Sequence, residues 1–427
     1  MDPVRIGLLG CGNVGGPLVQ LIEEQGDAIE ARTGLRLEVT RIAVRNVAKQ
    51  RVVAIPDELL THDAAEVVVD PAIDVVVEVI GGIEPARELI LQALKAGKPV
   101  VTANKELLAN VGAELFAAAD AAGVDILFEA SVAGGIPLIR PLRESLQGER
   151  ITRVIGIVNG TTNYILTRMS EEGVSYQEAL AEAQSLGYAE RDPTADVEGY
   201  DAGAKAAIIA SIAFGVRVVA GDVYHEGISK VTPADIAFAH RLGYEVKLLA
   251  VAEQFDDGAV AVRVHPAMVP MAHPLASVRD SFNAVFIEGA AVGQLMFFGR
   301  GAGGRPTASA VLGDLIDAAG NLRKGSSASV GTLAKATIRP IDELSSEYYL
   351  NLEVKDRPGV LAAVAGVFGD HGISIRSMEQ EGLGDEARLI FITHTARERD
   401  LQATLNGLRE LDPVDRIGSV LRVVGEE

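Results

Sequence analysis

Within its first fifteen residues the chain commits to a strand, a glycine turn and a helix, in that order. Val4-Arg5-Ile6-Gly7-Leu8-Leu9 is an apolar run suited to one buried strand, and Gly10-Cys11-Gly12-Asn13-Val14-Gly15 follows with the spacing G-x-G-x-x-G. A helix is expected from about Pro17 to Ile29. Gly10 permits the tight turn, Gly12 lets backbone N–H groups approach an anion, and Gly15 lets the helix lie close on the strand. The positive end of the helix dipole then faces that anion. Such a unit cradles the pyrophosphate of a nicotinamide dinucleotide; the alternative is a glycine turn without a ligand.

Further strands are expected at Leu37 to Val44, Val75 to Ile80 and Pro99 to Thr102, with a helix from Pro85 to Ala96. This alternation predicts a Rossmann-type, doubly wound parallel sheet. Arg45 stands next to Val44, where an NAD-selective site often carries a carboxylate. An arginine there can meet a 2′-phosphate, which favours NADP and leaves NAD as the alternative. Ligands sit at the carboxyl ends of such strands, so Thr102-Ala103-Asn104-Lys105 is a candidate site, with Lys105 facing nicotinamide and substrate or simply beginning the next helix. A strand from Asp125 to Phe128 leads into Glu129-Ala130-Ser131-Val132-Ala133-Gly134-Gly135-Ile136-Pro137, a turn into the next domain.

At 427 residues and 48% hydrophobic composition, the chain exceeds one ordinary core. Its formal charge of −20 argues against a nucleic-acid or anionic-membrane partner, which calls for a basic face. The single cysteine, Cys11, rules out an internal disulfide framework and a multi-thiolate metal site, and fits a reducing compartment, the cytoplasm. No run has the length of a membrane helix, and the first apolar run is too short for a signal peptide.

Pro141 to Gln147 opens a helix, and Ile151 to Val158 reads as a strand ending in Asn159-Gly160-Thr161-Thr162-Asn163-Tyr164. That polar cluster suits a small polar substrate or, equally, the cap of a helix. Next, Ala183 to Lys205 gathers Glu190, Asp192, Asp196, Glu198, Asp201 and Lys205 around glycines and a proline. A helix from Gly199 puts Asp201 and Lys205 on one face, as a catalytic pair or as a surface ion pair.

The ordered run Gly187, Asp192-Pro193, Asp196, Gly199, Asp201 and Lys205 resembles the signature of homoserine dehydrogenases, and Val158 to Leu166 matches a second motif of that family. The glycine loop, Val101 to Lys105 and Glu129 to Pro137 agree as well, so the resemblance spans about residues 1 to 322. It implies NAD(P)-dependent interconversion of L-homoserine and L-aspartate 4-semialdehyde, in threonine, methionine and isoleucine biosynthesis. By the same resemblance Lys205 carries the proton, Lys105 is a second lysine near the reacting carbon, and Asp201 positions Lys205. Glu190 binds the homoserine amino group, with Asp196, Asn159, Gly160 and Thr161 beside the substrate. The resemblance assigns Gly10, Cys11, Gly12, Asn13, Val14, Gly15, Val44, Arg45, Thr102, Lys105 and Gly303 to the cofactor. It also implies a monovalent cation, sodium, held by Glu129 and the main-chain oxygens of Val132, Gly134 and Ile136.

Oxidation of the alcohol needs the neutral amine of Lys205, so an alkaline optimum is expected for that direction. A cysteine-dependent aldehyde oxidation is excluded, because the only thiol lies inside the glycine loop. The first strand starts at Val4, so an amino-terminal kinase domain of the kind fused to some relatives is not expected. Gly299 to Gly304 and a helix from Pro306 to Ala319 return to the cofactor domain, and Asn321 to Ser329 reads as linker.

Beyond Ser345 the order is βαββαβ, which predicts an antiparallel sheet with helices on one face. With Asp356-Arg357-Pro358-Gly359 and His371-Gly372-Ile373-Ser374-Ile375, this tail resembles the ACT family of amino-acid-binding regulatory domains. That resemblance implies L-threonine as feedback inhibitor at Asp356, Pro358, Gly359, Val360, His371, Gly372 and Ile373; a ligand-free dimerisation module is the alternative. The expected division is a cofactor domain at 1–135, a substrate and dimerisation domain at 136–305, a returning helix at 306–322, a linker at 323–345 and the ACT domain at 346–427. A homo-oligomer, dimer or tetramer, is expected. The rival reading from another class is a catalytically inactive amino-acid sensor on the same fold.

Overall fold

The computed structural model describes residues 2–51, 53–331, 333–382 and 386–425. Two compact units emerge, each assembled from discontinuous stretches: Met1–Val154 with Ala204–Val223 and Asn283–Ala336, and Ile155–Gly203 with Tyr224–Phe282 and Thr337–Glu427.

The first unit is built on a six-stranded parallel sheet. Its strands are β1 (Val4–Leu9), β2 (Leu37–Ala43), β3 (Leu60–Thr61), β4 (Val75–Glu78), β5 (Val100–Thr102) and β6 (Ile126–Leu127), in the spatial order β3-β2-β1-β4-β5-β6. That is the doubly wound order in which the chain reverses direction of travel beside β1, the place where such sheets take dinucleotides. Helix α1 (Gly15–Thr33) and the long helix Gly304–Lys324 share one face. Leu18, Ile22 and Ile29 of the first and Val311, Leu315 and Ala319 of the second pack on Ile6, Leu8, Val75 and Val77. On the other face lies α2 (Ala64–Val69), unforeseen from sequence like β3; a Cβ at Gly7 would meet Val67 at 2.7 Å, so the glycine lets the layers close.

Two local expectations are corrected. Pro141 to Gln147 forms only a single wide helical turn, Pro141–Ser145. The stretch read as linker from Asn321 is helical as far as Lys324, because Leu312, Leu315, Ala318 and Ala319 keep an apolar face against the sheet. Gly325, in the left-handed region at φ 64°, ends that helix. Asp125 then ties down both sides of this terminus, accepting from the Asn321 amide at 2.8 Å and from the backbone N–H of Ala328.

In the second unit the strands Tyr244–Gln254 and Val260–Pro270 form an eleven-residue antiparallel ladder, and every residue of the latter is buried. The carboxyl-terminal strands follow the expected βαββαβ order: Ser345–Lys355, helix Val360–Asp370, Ile375–Gly382, Glu386–Thr393, helix Glu398–Arg409 and Val414–Val423. The two helices cover one face, where Leu350, Leu352 and Val354 meet Val364, Phe368, Leu401 and Leu405. Sequence reading left the rest of the surroundings open. The last strand pairs in parallel with Val260–Pro270 through Ala267 opposite Arg422 and Met268 opposite Val423, so the tail and the preceding hairpin share one sheet. Helix Pro233–Arg241 meets the other face, its Phe238 ring 5.6 Å from that of Tyr349. Among the described residues no helix is long and apolar enough to cross a membrane.

Candidate active site

The three loop glycines differ in what replaces their side chains. A Cβ on Gly15 would lie 2.1 Å from the Gly10 carbonyl oxygen, and one on Gly10, which has φ 101°, would lie 2.9 Å from the Val79 oxygen. Those two glycines are demanded by the protein itself. A Cβ on Gly12 would meet nothing within 4 Å. The space in front of Gly12, at the amino end of α1, therefore fits a phosphate group brought up to the backbone. Gly304 packs its backbone on this loop, since a Cβ there would lie 2.4 Å from the Asn13 oxygen; its neighbour Gly303 has φ 116°, which favours glycine.

Beyond β2, Arg45 is exposed. Sequence reading missed Arg51, whose guanidinium folds back on this segment and donates to the Asn46, Val47 and Lys49 oxygens. It also approaches Cys11, whose thiol is pushed up by burial against the opposing pull of Arg51.

A cavity of about 360 Å³ opens at the carboxyl ends of β4 and β5. It is lined by Val14 of the glycine loop, Gly82, Lys105, Ser131, Ala302 and Lys205. Lys105 is the exposed first residue of helix Lys105–Ala122, whose cap is Asn104. Lys205 is buried, on helix Tyr200–Phe214, which also carries Asp201 one turn earlier. The two lysines named from sequence, 100 positions apart, thus share one cavity with the glycine loop. The hydroxyl of Thr102 is fully buried and donates to Glu78 at 2.6 Å, so this residue serves the wall of the cavity through Glu78.

Ser131, Ala133 and Gly134 also line the cavity, on a loop closed by Glu129. The buried Glu129 carboxylate accepts N–H groups from Ile139 and Arg140 at 2.8 Å each and from Leu138. Its own N–H donates to Asp314 at 2.7 Å, and Arg140 returns to the same aspartate at 2.9 Å. Ala133 and Gly134, at φ 55° and 54°, curl the loop between these ties.

In the second unit Asn159 does two things at once. Its side-chain oxygen caps helix Gly160–Glu172 by accepting the Thr162 N–H at 2.9 Å. Its amide group donates to Asp196 at 2.7 Å and to Asp201 at 2.8 Å, holding together two carboxylates that are five residues apart. The cap expected from the polar cluster is therefore present, and it is Asn159 rather than Thr161, Thr162 or Asn163. Gly160 is a glycine because a Cβ would lie 2.7 Å from the Ser281 oxygen, and Thr161 donates to the Tyr188 oxygen at 2.6 Å. That bond and the Gln184 amide, 3.0 Å from the Glu190 oxygen, shape the exposed loop carrying Glu190. Asn163 of that cluster and Lys247, which was not singled out beforehand, pin the Val278–Phe282 loop through its main-chain oxygens. Asn163 was legible as part of the polar cluster; nothing in the sequence marks Lys247.

Comparison with known proteins matches three regions of the chain. Family models match the NAD-binding domain of homoserine dehydrogenase at residues 10–129, homoserine dehydrogenase at 137–316 and the ACT domain at 348–413. The homoserine dehydrogenase of Corynebacterium glutamicum is 52% identical over 98% of this chain and 95% of its own length. The chain belongs to the homoserine dehydrogenase family. A solved structure of a homoserine dehydrogenase from Thiobacillus denitrificans superposes with a TM-score of 0.94 at 42% identity, covering 99% of each chain. A hyperthermophilic archaeal homoserine dehydrogenase in complex with NADPH has a TM-score of 0.63 at 31% identity, covering 74% of this chain and 98% of its own. As a homoserine dehydrogenase the chain is an NAD(P)-dependent oxidoreductase of amino-acid biosynthesis carrying an ACT module.

Proposed function

We propose that the two-lysine cavity is where this homoserine dehydrogenase interconverts L-homoserine and L-aspartate 4-semialdehyde, with Lys205 as the proton carrier. The observation that carries this is the meeting of Lys105 and Lys205 with the glycine loop in one cavity. A bound nicotinamide supplies the hydride acceptor or donor for the carbinol carbon. In oxidation the neutral amine of Lys205 takes the hydroxyl proton; in reduction its ammonium returns one to the forming alkoxide. Asp201, one helical turn before it, favours the ammonium. Glu190 binds the substrate amino group, Asp196 and Asp201 are set by Asn159, and Lys105 keeps the reacting oxygen polarised.

NADP is the preferred cofactor, with Arg45 meeting its 2′-phosphate; the NADPH complex of the archaeal relative supports this reading. Val44, Thr102 and Gly303 shape the cofactor site. Sodium is held by main-chain oxygens of Val132, Gly134 and Ile136 with Glu129, whose carboxylate also closes the loop. L-threonine acts on the ACT module at Asp356 to Val360 and His371 to Ser374, in a cytoplasmic homo-oligomer. Gly359 at φ 93° and Gly372 at φ 71° form the turns on either side of helix Val360–Asp370, which supports those two loops as the effector surface.

The deciding experiment is homoserine-dependent NADP reduction by Lys205→Ala. A loss of roughly 10²- to 10⁴-fold in kcat is expected. Turnover near the wild-type rate would remove Lys205 from the reaction. Activity of the full-length protein that stays unchanged under rising threonine would remove the effector.

A further inference from the structure

Glu78 is the last residue of β4, fully buried, and lies opposite Thr102 in the parallel register of β4 and β5. A carboxylate in that place is tolerated only if donors surround it. One oxygen accepts the N–H groups of Ile80 at 2.8 Å and Gly81 at 3.1 Å; the other accepts the Thr102 hydroxyl at 2.6 Å. The Thr102 oxygen in turn accepts the Asn104 N–H at 3.0 Å. Asn104 then closes the ring, donating its amide to the Gly82 oxygen at 2.6 Å and accepting the Leu107 N–H at 3.1 Å as the cap of the helix that Lys105 begins.

These bonds join two loops that follow neighbouring strands. Ile80, Gly81 and Gly82 form one part of the cavity wall, and Asn104 and Lys105 another. Gly81 and Gly82 both have φ 75° and lie outside any helix or strand, so the loop takes its shape from what holds it. The two accepting oxygens of Glu78 hold the loop N–H groups and the Thr102 hydroxyl at once, whereas an amide there would turn one of them into a donor and force the hydroxyl to reverse and accept. We infer that Glu78 is a positioning residue of the dehydrogenase, acting through Thr102 and Asn104 to set the helix start from which Lys105 enters the cavity. The inference rests on the proposed part of Lys105 in the reaction.

The test is a double-mutant cycle of Glu78→Gln with Lys105→Ala, read as kcat for homoserine oxidation beside the Kd of NADPH measured by its fluorescence. Expected is a fall of about tenfold or more in kcat for Glu78→Gln with the NADPH Kd moved less than about threefold, and no further fall when it is added to Lys105→Ala. Thr102→Ser, which keeps the hydroxyl, should retain clearly more activity than Thr102→Val, which removes it and should follow Glu78→Gln. An equal loss from Glu78→Gln with and without Lys105, a wild-type rate for Glu78→Gln, or equal behaviour of the two threonine variants overturns the inference. If Glu78→Gln does not fold, Thr102→Val takes its place in the cycle. Wild-type turnover by Lys105→Ala alone would instead show that the reading of Lys105 had failed, and this inference with it.

Discussion

The phenol of Tyr349 donates to the carboxylate of Asp235 at 2.9 Å, joining the first strand of the carboxyl-terminal sheet to the helix Pro233–Arg241. The same fully buried carboxylate accepts the Asn351 amide at 3.0 Å and the Ser419 hydroxyl at 2.6 Å while capping its own helix through Thr232. Removing it leaves the buried Tyr349 phenol and Asn351 amide without this acceptor, while Ser419 keeps the Lys230 oxygen at 3.1 Å. Asp235→Ala is therefore expected to cost about 3 kcal/mol or more, measured as the urea midpoint of the full chain. Loss below about 1 kcal/mol would mean that this junction contributes little.

The contrast between loop glycines predicts a separation of stability from binding. Gly15→Ala puts a methyl group 2.1 Å from the Gly10 oxygen and should lower the melting temperature without any ligand. Gly12→Ala has no such clash and should melt like the wild type, yet bind NADPH roughly tenfold or more weakly. Thermal melts with and without cofactor distinguish the two, and a Gly12→Ala protein with unchanged affinity would contradict the placement of the phosphate.

Lys247 is fully buried, and burial pushes its amine down to about 8, with Glu245 pulling the other way. An unfolded lysine titrates near 10.4, so between roughly pH 8 and 10.4 the folded chain has released a proton that the unfolded chain keeps. Stability from this group is present above the upper limit and is lost as pH falls through 8. Relative to Lys247→Met, the wild type should gain about 3 kcal/mol across that window. Urea unfolding of both proteins at pH 7.5 and 10 checks it; a constant difference refutes it.

Asp314 runs the other way. Burial raises its carboxyl to about 7, against the Glu129 N–H and Arg140. The folded chain then holds a proton that the unfolded chain releases near pH 4, so this contribution is full below pH 4 and lost as pH rises through about 7. Against Asp314→Asn, the wild type should lose a few kcal/mol between pH 4 and 7. A flat difference, read by denaturant titration across that range, would place the carboxylate in its ordinary ionised state.

What the sequence determined by itself was local or periodic. The glycine loop, the strands β1, β2, β4 and β5 and the βαββαβ tail follow from residue spacing, because a turn, a strand face and a helix face are each decided within a few residues. Asn159, Asp196, Asp201, Lys105 and Lys205 were also legible, carried by ordered motifs. Only the tertiary structure decided which partner each buried polar group would find. Asn159 reaches Asp201 across 42 positions, Glu129 reaches Asp314 across 185, and Tyr349 reaches Asp235 across 114. No window along the chain contains such pairs. Burial removes water as the alternative partner, so the folded geometry alone selects them, and with them Glu78 and the continuous sheet of the tail.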